Sequence, residues 1–350
     1  MLDFFIPLLI CVLLVLPASA LATKVGLVDM PNERKRHLGA TPLVGGLCIL
    51  TTLLGYLIAV NVNTHILYLL LISCVIVLIG SIDDRLDLST KIRLLVQAGS
   101  ALAMIFISGN QIFQIGNLFF GQTVTFGFTA SVIFTVMCTV GVINSINMID
   151  GVDGLAGSTT LVSFMALAYI AYLGGDTQSL QILLCLCGAI TGFLMFNSRA
   201  VVSRAKVFLG DAGSMLLGFL LLWFCIQLSQ SDNAPLSPVV AGWIFGLPLI
   251  DTVSVMVGRI LSRRSPFDAG RDHFHHLLID NGVSINRTVI VMVSIHTAIV
   301  LTGLLFNAYS PSEPYLFWTF VIIVIAHHFI TPRVVFRWKN GHIAAANNQG

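Results

Sequence analysis

Two adjacent carboxylates are the first candidates for a chemical role in a chain that otherwise carries few charges. Asp83 and Asp84 are neighbours at the end of an apolar run, and Lys91 follows them. Adjacent carboxylates repel each other, and the C-terminal end of a helix disfavours anions. We therefore expect a divalent cation or a proton-transfer role at this pair. Charge pairing with Arg85 or Lys91 is the structural alternative.

A second polar cluster ends a later apolar run, in the segment NSINMIDGVDGL. Its amides and carboxylates recur at every third position: Asn144, Asn147, Asp150 and Asp153. On a helix this spacing places the first members along one face. Gly151 and Gly154 would then let the backbone approach a ligand closely. The pattern favours a ligand site, because a structural turn does not need two amides and two carboxylates.

Two further segments have the composition of phosphate sites. In KVFLGDAGS, Asp211 lies where an apolar run begins, and helix N-termini attract phosphate through their free N–H groups. Helix capping by Asp211 is the alternative. In PNERKRH, Arg34 and His37 belong to a basic segment. This segment would cradle a phosphorylated ligand or hold anionic lipid headgroups.

A histidine cluster, RDHFHH, occupies a long polar loop with Arg271, His273, His275 and His276. Three histidines in four residues suggest zinc, but no cysteines accompany them, and the oxygen-rich clusters above suit Mg²⁺ better. Imidazoles also donate hydrogen bonds to phosphate or stack on a base. Asp251 lies inside an apolar run, where a carboxylate is a functional candidate or the partner of a basic residue. His296, His327 and His328 are expected to be packing or interfacial residues.

The elements that position these clusters are predicted to be membrane-spanning helices. The 350 residues are 56% hydrophobic and 10% charged, whereas soluble domains carry about 25% charged residues. The fold prediction is an all-α polytopic bundle over 1–350 as one domain, with an uncleaved first span. Eleven apolar runs are long enough to be spans: 4–23, 43–61, 65–82, 92–108, 129–148, 156–173, 179–197, 212–229, 238–261, 288–308 and 314–332.

Basic residues predict the orientation of this bundle. All 18 Lys and Arg follow alternate spans and so lie on one side, which the positive-inside rule makes cytoplasmic. The N-terminus is then periplasmic, the C-terminus is cytoplasmic, and all the polar clusters share the inner face. The outer segment 111–128 is expected to form a small β-hairpin. The net charge of only +2 gives no reason to expect nucleic-acid binding.

The five inner-face motifs, in this order, resemble those of the polyprenyl-phosphate N-acetylhexosamine-1-phosphate transferases. The likeness runs over 24–279 and includes PNERKRH, DDRLDLSTKIR, NSINMIDGVDGL, KVFLGDAGS and RDHFHH. Phe274 interrupts the histidines, as in the GlcNAc-type branch, whereas the peptidoglycan branch usually has three consecutive histidines. The resemblance implies transfer of GlcNAc-1-phosphate from UDP-GlcNAc to undecaprenyl phosphate, beginning O-antigen or enterobacterial common antigen synthesis. One alternative is the same reaction with another UDP-N-acetylhexosamine as donor. An alternative of a different class is a lipid or ion transporter.

The resemblance also implies roles for the site residues. Asp211, with Asn147, would bind Mg²⁺ or Mn²⁺, while Asp83 and Asp84 would position or deprotonate the lipid phosphate beside Lys91. The predicted nucleotide-sugar residues are Asn144, Asp150, Asp153, Arg271, His273, His275 and His276. Arg34 and His37 would bind phosphate. The resemblance further implies a bacterial inner-membrane location, a cytoplasmic active site and a homodimer.

Overall fold

The computed structural model of the protein describes residues 1–30, 39–60, 64–231, 233–266, 270–309 and 312–347. Helices account for almost all of its regular structure. They are α1 Leu2–Val25, α2 Gly45–Ala59, α3 Thr64–Leu86, α4 Thr90–Ala103, α5 Phe128–Ile149, α6 Leu155–Leu173, α7 Thr177–Asn197, α8 Gly210–Ser229, α9 Pro238–Leu261, α10 Phe274–Asp280, α11 Ile285–Tyr309 and α12 Glu313–Asn347. The strands β1 Val28–Asp29 and β2 Thr41–Pro42 form one short antiparallel pair. α4 continues into a π-helical turn, Met104–Ser108.

The predicted polytopic helical fold is confirmed. Ten helices in the described part of the chain are long and apolar enough to cross a membrane. The eleventh predicted span is the shorter α2, which has 15 residues. At about 1.5 Å per residue α2 is shorter than a bilayer core, and most of it is buried within the bundle. The additional helix, α10, lies in the loop that carries the histidine cluster.

Helix α8 forms the centre of the bundle, and small residues let its neighbours approach it closely. A Cβ on Gly80 of α3 would overlap the backbone of Ala212 on α8. Gly46 of α2 lies equally close to the backbone of Gly213. Small residues at such contacts are characteristic of helix packing in membranes. Here they hold the beginning of α8 against the end of α3, which brings two of the polar clusters together.

Helix α9 is broken within its apolar stretch. Gly246 adopts φ 56° and ψ −136°, a conformation that favours glycine. Ser163 Oγ donates to the carbonyl of Ile244 at 2.8 Å, and the N–H of Leu247 donates to His296 Nδ1 at 3.3 Å. His296, expected only to pack, therefore satisfies a backbone group that the break releases, as membrane burial requires. The second half of α9 then runs to the histidine loop.

The segment 111–128 reverses direction without forming a regular hairpin. A single antiparallel bridge joins Gln114 to Thr125. The N–H of Ile115 donates to the carbonyl of Val124 at 3.1 Å, and the N–H of Val124 donates to that of Gly116 at 2.9 Å. The predicted β-hairpin is therefore present only as a chain reversal with local backbone pairing, and 111–128 contains no regular strand.

Candidate active site

The polar ends of α3, α4, α5 and α8 meet at one end of the bundle. Asn147 Nδ2 donates to Asp211 Oδ1 at 2.5 Å and to Ser214 Oγ at 2.9 Å. A guanidinium N–H group of Arg93, on α4, lies 3.5 Å from Asp83 Oδ2 and 3.7 Å from Asp211 Oδ2. Carboxylates separated by 128 positions in the chain therefore share one cation.

Asp84 caps the N-terminus of α8. Its Oδ1 accepts from the N–H of Asp211 at 2.7 Å, and its Oδ2 accepts from the N–H of Ala212 at 3.2 Å. A carboxylate at this position satisfies free N–H groups and interacts favourably with the helix dipole. Gly210 is required beside it, because its φ is +75° and a Cβ there would lie 2.5 Å from Asp84 Oδ2. The amides predicted to attract phosphate are thus held by Asp84, and Asp211 does not provide the cap.

Asp83 is the buried member of the adjacent pair. Its exposed fraction is 3%, and its Oδ1 accepts from the N–H of Leu88 at 2.7 Å. Its Oδ2 is ion-paired with Arg93 at 3.5 Å but has no hydrogen-bond partner among the described residues. A buried carboxylate oxygen without a hydrogen bond is costly, so this atom can also accept a hydrogen bond from a protonated substrate group or contact a cation.

Arg93 lies beside the carboxylates Asp83 and Asp211, where Lys91 was predicted to lie. The side chain of Lys91 is exposed, and no ion pair involving it is found among the described residues. The two residues lie on the first turns of α4, and only the tertiary packing of α4 against α5 decides which of them turns inward. The role predicted for Lys91 therefore stays a prediction, and the spacing of the motif does not show that Arg93 lies nearer the carboxylates.

Asn144 lies one helical turn deeper than Asn147 and is held by α4. Its Nδ2 donates to Gln97 Oε1 at 2.6 Å and to the carbonyl of Val140 at 2.7 Å. Because both N–H groups are used within the bundle, Asn144 contributes at most an acceptor to a ligand. Its contact with Gln97 fixes α4, which carries Arg93.

The loop after α5 places Asp150 and Asp153 beside this cluster. Burial and the nearby charges of Asp211, Asp84 and Asp153 raise the pKa of Asp150 well above its usual value. Asp153 is neutralised by Arg199, whose Nε donates to Asp153 Oδ2 at 2.6 Å. The pKa of Asp150 therefore reflects its burial first and the neighbouring carboxylates second.

Asp251 fixes the histidine loop. Its Oδ2 lies 2.8 Å from His273 Nδ1, and its Oδ1 accepts from the N–H of Phe274 at 3.0 Å. His327 Nε2, on α12, lies 3.2 Å from the same Oδ1. A carboxylate bonded to one imidazole nitrogen fixes the orientation of the ring and leaves the other nitrogen for a ligand. The sequence identified Asp251 as a candidate, but its partners come from distant segments.

His275 joins the histidine loop to the loop after α5. The ring is fully buried, and neither of its nitrogens has a hydrogen-bond partner. A Cβ on Gly151 would lie 2.9 Å from His275 Nε2, so the glycine makes room for the ring. Burial, then the neighbouring His276, lowers the pKa of His275 to about 3. Burial also lowers the pKa of His276. These rings are therefore neutral at pH 7 and act through hydrogen bonds.

The remaining predicted residues have separate positions. Arg271 donates to Asp280 at 2.6 and 3.1 Å, on an exposed face. Its guanidinium group is therefore paired with the last residue of α10. Arg34 and His37 fall in 31–38, outside the described residues.

A divalent cation fits the carboxylate end of the bundle. No group of three or more His, Cys, Asp or Glu side chains within the described ranges is arranged to hold a metal ion. Mg²⁺, however, is usually held by one or two protein oxygens together with substrate phosphates and waters. Asp83 and Asp211 share Arg93 here, and, after burial, the nearby charges of Asp211 and Asp84 raise the pKa of Asp150. Asn147 adjoins Asp211.

Comparisons with known proteins identify the family of the chain. The family model for glycosyl transferase family 4 matches residues 66–229. An undecaprenyl-phosphate alpha-N-acetylglucosaminyl 1-phosphate transferase from Salmonella typhi is 34% identical over 92% of this chain and 87% of its own. Proteins of the same name from Escherichia coli K12 and Haemophilus influenzae are 33% and 34% identical, each over 92% of this chain and over 87% and 91% of their own lengths.

The chain belongs to the polyprenyl-phosphate N-acetylhexosamine-1-phosphate transferase family. It is accordingly a glycosyl-1-phosphate transferase with many membrane-spanning helices. The region matched by the family model includes α3 to α8 and hence Asp83, Asn147 and Asp211, whereas the histidine loop lies beyond it. The longer matches to the bacterial relatives extend over most of the chain.

Proposed function

We propose that this protein transfers GlcNAc-1-phosphate from UDP-GlcNAc to undecaprenyl phosphate, giving undecaprenyl-diphospho-GlcNAc and UMP. The observation that carries the proposal is the meeting of Asp83, Asn147, Arg93 and Asp211 at one end of a membrane bundle. The names of the bacterial relatives support the acceptor and the sugar. We place the reaction at the cytoplasmic face of a bacterial inner membrane, as the first membrane step of O-antigen or enterobacterial common antigen synthesis.

In the proposed reaction, an oxygen of the lipid phosphate attacks the β-phosphorus of UDP-GlcNAc. A bond forms between that oxygen and phosphorus, and the bond to the bridging oxygen breaks, so UMP leaves with the electron pair. The second pKa of a phosphomonoester is about 6, so much of the attacking phosphate is already dianionic at pH 7. Bringing two anions together is therefore the main barrier, and electrostatic stabilisation is the main contribution of the site.

The residues of the site divide this work. Arg93 offsets the carboxylates that face the substrates, and Asp83 Oδ2, which is ion-paired with Arg93 but not hydrogen-bonded, would accept a proton from the lipid phosphate or contact a cation. Asp211 and Asn147 would hold Mg²⁺ or Mn²⁺, which when bound supplies positive charge to the diphosphate. Asp84 acts by positioning, because it holds the first turn of α8, from which Asp211 projects.

The histidine loop would bind the nucleotide sugar. His273, oriented by Asp251, presents its second nitrogen, and the neutral His275 and His276 offer hydrogen bonds beside Asp150 and the glycines of its loop. Neutral imidazoles can recognise diphosphate or sugar oxygens without adding charge. Arg34 and His37 remain candidates for phosphate binding.

A transporter is the competing class, and the break in α9 is the observation that favours it, since broken helices are frequent at transport sites. The backbone groups at this break, however, are bonded to Ser163 and His296. The nearby carboxylate, Asp251, is bonded to the histidine loop and α12. The break therefore serves to direct α9 towards the site.

The proposal is tested with purified protein, Mg²⁺, undecaprenyl phosphate and radiolabelled UDP-GlcNAc. Formation of UMP and a labelled lipid in equal amounts is expected. Parallel reactions with UDP-GalNAc and other UDP-N-acetylhexosamines test the donor, and the mass of the protein in a defined detergent tests the proposed homodimer. Transport of substrate across vesicles without UMP release would favour the competing class.

A further inference from the structure

A cavity of about 360 Å³ lies between the inner ends of α9 and α12, under the histidine loop. Its volume is within the range of small-molecule sites, about 300–1,000 Å³. Its walls combine basic, hydroxyl and apolar side chains: Ser254, Val255, Arg259, Leu261, Arg264, Leu277 and His328. It adjoins the histidine loop through Asp251, Asp272 and Leu277, and the proposed transferase chemistry gives the cavity itself no role.

The buried cation in this cavity has an unused donor. Arg259 is 2% exposed. Its Nε donates to Asp272 Oδ2 at 3.3 Å and its Nη1 donates to the carbonyl of Pro266 at 3.1 Å. Its Nη2 has no hydrogen-bond partner among the residues that the structure describes. Leaving a buried guanidinium N–H group unpaired is costly, and a ligand with an acceptor oxygen would remove that cost.

Two guanidinium groups share one carboxylate on one side of the cavity. Asp272 is shared between Arg259 and Arg264, because Arg264 Nη2 lies 3.7 Å from Asp272 Oδ2. One carboxylate thus faces two guanidinium groups. The other carboxylate of the lining, Asp251, has both oxygens bonded by His273, Phe274 and His327. Its oxygens are therefore already hydrogen-bonded, away from the two guanidinium groups.

The position of the cavity indicates where the anion comes from. Leu261 on the rim is 72% exposed, and its neighbour Ile260, on the same end of α9, is 58% exposed, as expected for side chains against lipid. The side chain of Arg264, which also lines the cavity, is 56% exposed. An apolar surface beside two arginines at the predicted cytoplasmic boundary matches an amphipathic anion. Basic pockets between membrane helices on this side bind anionic lipid headgroups.

We propose that this cavity binds the phosphate headgroup of an anionic membrane phospholipid, with Arg259 Nη2 and Arg264 as donors. A bound headgroup would join α9 to α12 and to Asp272, next to the loop that Asp251 holds. The inference goes beyond the proposed function and does not depend on it, because binding can be measured without turnover.

The test uses the full chain in nanodiscs of phosphatidylcholine, with or without phosphatidylglycerol. Native mass spectrometry counts retained phosphatidylglycerol, and the unfolding temperature is measured in parallel. Wild type is expected to retain one phosphatidylglycerol and to unfold at a higher temperature in its presence. Arg264→Gln is expected to lower this retention about fivefold, the effect of one basic group near the lipid surface.

Arg263→Gln is the matched control, since it removes the same charge one position earlier and Arg263 does not line the cavity. Equal losses for both variants, or no retention by wild type, would overturn the proposal. A soluble anion site would appear instead as the same stabilisation by inorganic phosphate in pure phosphatidylcholine, which also overturns it. Arg259→Gln tests the buried donor if it folds; if it does not, the Arg264 and Arg263 pair decides.

Discussion

Replacing Arg93 by Gln tests the electrostatic role assigned to the meeting point of α3, α4 and α8. Arg93 lies 3.5 Å from Asp83 Oδ2 and 3.7 Å from Asp211 Oδ2, and its side chain is 30% exposed. Two unit charges about 4 Å apart interact by about 1 kcal/mol in water and about 4 kcal/mol near a protein surface. Removing the cation would leave both carboxylates to repel the incoming phosphates.

We expect Arg93→Gln to lower kcat/KM by roughly 10- to 1,000-fold, since each 1.36 kcal/mol is a factor of ten in rate. Arg93→Lys should restore part of the rate, because it keeps the charge and loses the planar geometry. Lys91→Gln is the matched control and should change the rate by less than about threefold, because an exposed charge contributes little. The assay is initial-rate UMP release at saturating and limiting undecaprenyl phosphate. Wild-type kinetics for Arg93→Gln, with a large loss for Lys91→Gln, would refute the reasoning.

Five further variants examine the metal, the histidine loop and the packing. Asp211→Asn should abolish Mg²⁺-dependent activity while the protein still inserts, and a wild-type rate would exclude Asp211 as a metal ligand. Asp251→Asn should raise the KM for UDP-GlcNAc about tenfold with a smaller change in kcat; a loss confined to kcat would contradict a positioning role. Gly80→Ala should lower the unfolding temperature, whereas Gly99→Ala, with open space around it, should not. The pKa of His275 is about 3 in the folded protein and about 6.5 in the unfolded chain, so lowering the pH to 5 reduces the free energy of unfolding by about 2 kcal/mol. His275→Asn should weaken this loss of stability between pH 7 and pH 5. An unchanged dependence of the free energy of unfolding on pH would contradict the burial of His275.

Much of the helical framework could be predicted because membrane burial leaves a simple signal. A long apolar run must satisfy its backbone internally, so each of the eleven runs became a helix. The break in α9 was not predicted, although Gly246 and Pro248 mark it, because glycine and proline are also common in unbroken membrane helices. Its position depends on the tertiary partners Ser163 and His296.

The clusters of the candidate site could be predicted as groups, but their internal partnerships could not. Spacing along one helix identified Asn144 and Asn147, since the period of the helix is known. That Asp84 caps α8, and that Arg93 rather than Lys91 faces the carboxylates, depends on how separate helices pack. The bond from Asp251 to His273 likewise joins residues from separate elements that only the fold brings together.

Transfer of labelled GlcNAc-1-phosphate by the purified protein tests the central claim most directly. Wild type with Mg²⁺, undecaprenyl phosphate and doubly labelled UDP-GlcNAc should release one UMP for each labelled lipid, and the Asp211→Asn variant should release none. Absence of UMP release by folded wild-type protein, with every UDP-N-acetylhexosamine tested, would contradict the account.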